Sequence, residues 1–121
     1  MDFNAAIAAH SAWKRKLAQY VAKPDKSIDP AQLEKDDRCE LGRWIYGEGR
    51  KHASDPTFKE LTKEHADFHR AAADVVRRAN AGNSVSEEVV LGARSAYARA
   101  TTAVVQALMA LKQKSEQLAH K

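Results

Sequence analysis

Three prolines, Pro24, Pro30 and Pro56, and five glycines are too few to turn a chain of 121 residues into an all-β fold. Each tight turn calls for such residues, and a β-domain of this length needs many turns. Alanine, the strongest helix former, is abundant, and the long segments lack breakers. The expected fold class is therefore all-α. The length suits a single domain over residues 1–121. Hydrophobic residues at 44% and charged residues at 30% suit a packed core, and the lone Cys39 excludes an internal disulfide.

Helix signals divide the chain. Phe3, Ile7, His10, Ala12 or Trp13, Leu17 and Tyr20 or Val21 recur at three- and four-residue steps, as one face of a helix requires, and Pro24 ends that helix. Residues 23–37 are polar and broken, although Asp29-Pro30 offers a cap and a first-turn proline for a turn or two. A short helix is expected from Arg38 to Gly47 or Gly49. Gly42 inside it is costly for a helix, which points to close approach of another backbone or helix. Asp55-Pro56 opens a third helix that runs to about Asn80. Ala81-Gly82-Asn83 makes the turn, and Ser84 or Ser86 caps a last helix reaching the C-terminus. If unbroken, that helix exceeds thirty residues, or about 45 Å. The pattern predicts an antiparallel four-helix bundle with an extra short helix and a long C-terminal helix.

The charge of +4 is spread out. Lys14-Arg15-Lys16 and Arg77-Arg78 are too short for a nucleic-acid patch and read as solvated helix faces. No run of about 18 apolar residues is present, so no membrane insertion is expected. Met1-Asp2-Phe3-Asn4 lacks the basic start and apolar core of a signal peptide, and the expected location is cytoplasmic, where a thiol stays reduced.

His65 and His69 lie four residues apart on a helical segment, so both imidazoles share one face and can reach one ion. His10 lies on the apolar face of the first helix, where an unpaired imidazole is costly. Cys39 stands at the start of the apolar stretch Cys-Glu-Leu-Gly-Arg-Trp-Ile-Tyr. Together His10, Cys39, His65 and His69 form the set a tetrahedral Zn²⁺ takes, and a soft thiolate with imidazoles disfavours Mg²⁺ or Ca²⁺. A di-iron site wants several carboxylates, which the inward positions do not offer. His52 and His120 read as solvated. Asp36 and Asp37, next to Cys39, lead the candidates for the carboxylate that orients a ligand histidine, ahead of Asp67 and Glu40.

His10-Ser11-Ala12-Trp13, Cys39-Glu40-Leu41-Gly42-Arg43-Trp44 and His65-Ala66-Asp67-Phe68-His69 resemble the chemoreceptor zinc-binding (CZB) domain family in order and interval. The resemblance covers essentially the whole chain. It implies that His10, Cys39, His65 and His69 are zinc ligands, that Trp13 and Trp44 pack around the site, and that Gly42 admits a neighbouring helix. It also implies a cytoplasmic sensory module, a likeness to domains that serve a chemoreceptor or a diguanylate cyclase and that form homodimers. The dimer interface is expected on the first helix and the overhanging last one.

A site with four protein ligands keeps no open position for metal catalysis, and no nucleophile triad or phosphate loop is visible, so the chain reads as non-enzymatic. Three roles stay open. The family resemblance implies that Cys39 acts as a redox trigger for hypochlorous-acid-type oxidants, or that zinc itself is the signal; in the third, zinc only stabilises a dimerisation module.

Overall fold

The computed structural model describes residues 2–81, 91–92 and 95–119, with side chains up to 114. Among them every regular element is helical: helices α1 (Phe3–Ala22), α2 (Pro30–Leu33), α3 (Glu40–Tyr46), α4 (Pro56–Asn80) and α5 (Ala96–Ala119), and a 3₁₀ turn at Glu48–His52.

Each helix begins where a side chain can accept an orphan N–H. Asp2 receives Ala5 N–H, Asp29 receives Ala31 N–H and Asp55 receives Thr57 N–H. Pro30 and Pro56 occupy the first turns after the latter two, as the sequence leads one to expect. Ser95 Oγ receives Ala98 N–H at 3.1 Å. At α3 the cap is a sulfur, since Cys39 Sγ receives Gly42 N–H at 3.3 Å.

One expectation fails. The last helix is not continuous from Ser84 or Ser86, because Gly92 and Ser95 are bends and α5 begins at Ala96. Gly92 is a poor helix residue, and Ser95 both bonds back to the Gly92 carbonyl and caps the next helix. The 24 residues of α5 span about 36 Å. Gly82, Asn83 and the proposed caps at Ser84 and Ser86 lie outside the described residues.

Helix directions follow from paired contacts. His10 meets His65 and His69, and Tyr20 donates to Asn80, so α1 and α4 run the same way. Tyr97 packs on Phe68 while Lys114 pairs with Asp55, so α5 runs opposite to α4. Leu33 lies level with His69, Cys39 with His65, and Trp44 with Phe58. The α2–α3 arm therefore descends along α4 as two helical pieces separated by residues 34–39. Taken in order, the directions alternate.

The core lies where α1, α4 and α5 meet, the pairing of α4 with α5 being the most extensive. Leu17, Leu61, Phe68, Val76, Val104 and Leu108 are fully buried there. Each such side chain contributes roughly 1.5–3 kcal/mol by leaving water. The scaffold holding the histidines is thus a packed core, while the arm carrying Cys39 is thin.

Candidate metal centre

The apolar face of α1 turns His10 inward, and the i, i+4 geometry of α4 stacks His65 and His69 beneath it. All three are buried, at 4%, 0% and 4% exposure. Half-buried Cys39 reaches the same point from the N-terminus of α3. Sequence spacing had joined these four across three helices, and the fold brings them together.

One donor atom from each of the four lies within 4.8 Å of every other. Cys39 Sγ is 3.2 Å from His65 Nε2 and 3.6 Å from His69 Nε2. The two histidine Nε2 atoms are 3.0 Å apart. Bond lengths for tetrahedral zinc give ligand separations of about 3.3 Å between nitrogens and about 3.6 Å between nitrogen and sulfur. The distances among Cys39, His65 and His69 lie within a few tenths of an ångström of these, while the His10 donor stands within 4.8 Å of the other three. Ring nitrogens facing one another this closely need a proton or a cation between them.

The outer ring nitrogens explain the orientation. His10 Nδ1–H donates to the Ala6 carbonyl and His69 Nδ1–H to the Leu33 carbonyl, each at 2.8 Å. Both bonds leave the Nε2 lone pair aimed into the cluster. His65 Nδ1 is buried and meets no hydrogen-bond partner. The donor set therefore fits zinc, and among the described residues no carboxylate joins it.

Burial also sets the charges. It lowers the pKa of all three imidazoles below the usual 6.5. His65 is pushed down to about 2, with His69 and His10 adding repulsion to the loss of solvent. For His10 and His69 the carbonyl partners oppose the shift. Burial thus favours the neutral ring, the form in which imidazole ligates. Burial pushes the Cys39 thiol up, against the pull of the Gly42 and Leu41 N–H groups. A thiolate here needs a neighbouring cation.

The carboxylates ranked first as histidine partners sit elsewhere. Asp36 Oδ2 receives the Tyr46 hydroxyl at 2.6 Å, and Asp37 pairs with Arg38 at 3.6 Å on the surface. Asp67 pairs with Arg70. The partners found are main-chain carbonyls. Asp36 acts instead through its own carbonyl: a Cβ on residue 42 would lie 1.7 Å from that oxygen. The close approach expected at Gly42 is thus real, but it comes from the 34–39 connection rather than from a helix.

The two tryptophans part company. Trp13 lines a pocket of about 440 Å³ together with Leu33, Cys39 and His69. Trp44 faces the other end of α3, its ring 5.7 Å from Phe3, 5.8 Å from Phe58 and 6.0 Å from His52. His52, read from its polar surroundings as solvated, is half-buried in that aromatic group. His120 lies outside the described residues.

Residues 10–76, just over half of the chain, match the family model of the chemoreceptor zinc-binding domain (CZB). No curated protein and no solved structure matches the chain.

Proposed function

The chain belongs to the chemoreceptor zinc-binding domain family, and on that premise we propose that it is a cytoplasmic bacterial sensory domain in which His10, Cys39, His65 and His69 hold one Zn²⁺. The convergence of those four donors within 4.8 Å carries this reading. When bound, zinc supplies the positive charge that keeps the Cys39 sulfur a thiolate. His10 and His69 hold their tautomers by donating to the Ala6 and Leu33 carbonyls. His65 contributes a neutral ring from the packed face of α4.

Cys39 is the reactive member. The pocket beside it and His69 gives small reagents a way in. The thiolate attacks the oxidant, hypochlorous acid giving a sulfenic acid and releasing chloride. An oxidised sulfur would be a weaker ligand for zinc, so Cys39 would withdraw and the α2–α3 arm would shift against α4. The same opening favours a second reading, in which metal exchange at the site is itself the signal. A chemoreceptor or diguanylate cyclase output domain would take up the movement, with two chains joined through α1 and α5.

Elemental mass spectrometry of the purified protein tests the site. About one zinc per chain is expected. A chain that neither carries zinc nor takes it up on addition would overturn the reading. Oxidant-induced zinc release that persists undiminished in Cys39→Ser would sink the redox trigger alone.

A further inference from the structure

A second concavity, of about 290 Å³, lies at the far end of the arm, where α3 and the 3₁₀ turn meet the first turns of α4. Buried Ile45 and Phe58 form its floor. Tyr46 forms a wall and is 43% exposed, although large hydrophobic side chains of the described residues are otherwise exposed only at Met109. Arg50 and Lys59 line the rim, both exposed and neither ion-paired among the described residues. No acidic residue lines it.

We propose that this groove docks a protein segment in which an apolar anchor sits beside acidic side chains, and that the metal-bound position of α3 shapes it. The apolar floor selects an aliphatic or aromatic anchor. The two unpaired cations select carboxylates, since charge complementarity sets which partner docks. Tyrosine and arginine at the edge of an apolar depression are the side chains that dominate protein interfaces. A nucleic acid would use the cations and leave the floor unfilled.

The groove is tied to the metal centre through covalent and hydrogen-bonded neighbours. Tyr46 donates to Asp36 at 2.6 Å, the Asp36 carbonyl lies against Gly42, and the Gly42 N–H is bonded to Cys39 Sγ at 3.3 Å. A change at the sulfur therefore reaches the wall of the groove within one short helix. This coupling rests on the proposed zinc site at Cys39, whereas the docking chemistry does not.

Short random peptides displayed on phage, selected on the zinc-loaded full chain, test the proposal. Enriched peptides should pair Asp or Glu with Leu, Phe or another apolar residue. Their affinity, measured by calorimetry, should fall about tenfold or more in the double variant Arg50→Glu/Lys59→Glu, which places like charges against the ligand. Removing zinc should weaken binding about fivefold or more. Enrichment of neutral or basic peptides, or affinity indifferent to the double variant, would overturn the docking proposal. Self-association of the chain lost in that variant, or binding of decanoate alone at the same groove, would overturn it in favour of another occupant. Affinity indifferent to zinc removal would overturn the coupling. Metal content measured on the same sample separates the two levels: acidic peptides selected by a chain that binds no zinc leave the groove standing and the zinc reading not.

Discussion

The main-chain carbonyl of Leu33 accepts the Nδ1–H of His69 at 2.8 Å, joining the end of α2 to one of the four clustered donor residues. The bond needs α2 to be formed, because only then does the carbonyl lie level with His69. Helix α2 has four residues, and its start depends on Asp29 accepting Ala31 N–H.

Asp29→Ala should therefore act at a distance. Loss of a helix cap costs about 1 kcal/mol. Disturbing the partner of a ligand histidine lowers metal affinity about tenfold or more. A competition titration against a chromophoric chelator measures this, with exposed Asp25→Ala as the control that should leave affinity unchanged. Equal affinities in the two variants would show that α2 does not orient His69.

Zinc affinity should climb with pH. Burial raises the Cys39 thiol above its ordinary value of 9.0, so the metal-free protein keeps that proton through the neutral range. Binding must expel it, giving about a tenfold gain in affinity per pH unit between roughly pH 7 and 8.5. Cys39→Ala should bind far more weakly and without that slope. A pH-independent affinity in the parent protein would mean that the thiol is already ionised.

The metal-free protein should lose stability as it is acidified. The three buried histidines have folded-state pKa values below 6.5, that of His65 falling to about 2. Below pH 6.5 the unfolded chain binds protons the folded chain refuses, so unfolding is favoured progressively as pH falls. Above 6.5 this contribution is fully present and constant. Urea unfolding from pH 7.5 to 5 should show a declining midpoint, and His65→Leu should reduce the decline.

Gly42→Ala should damage the site more than a helix-favouring substitution normally does. In an ordinary exposed helix interior the change would stabilise by about 1 kcal/mol. Here the added methyl would meet the Asp36 carbonyl at 1.7 Å, so either the connection or α3 must move. The expected result is destabilisation of about 1–3 kcal/mol with weaker zinc retention, measured by chemical unfolding and metal content. A more stable variant with unchanged zinc content would show that the arm yields freely.

Much of this site is legible in the chain because its information is carried by side-chain identity. Four donors at helical spacing, and a glycine that pays for its place in a helix, both mark positions where only one chemistry fits. The carbonyls of Ala6 and Leu33 carry no such mark, since every residue has one, and only the fold says which oxygen faces which ring. Ala6 lies one turn before His10, so helix geometry could have suggested it; Leu33 lies 36 residues from His69. The break near Gly92 was missed because proline-free sequence reads as continuous, although Gly92 and Ser95 carry the turn and cap chemistry. Trp44 is two residues from Gly42 on the same short helix, yet its ring packs on Phe3 and Phe58, because a seven-residue helix has two ends.

The sulfur that caps α3 has a last consequence. A helix of seven residues lies well below the length that persists alone in water, where its first turn is the costly step. Here that turn is nucleated by the very atom the metal would bind, since the Gly42 N–H closes onto Cys39 Sγ. Oxidation of that sulfur and the helix–coil equilibrium of the seven residues after it should thereby be thermodynamically coupled.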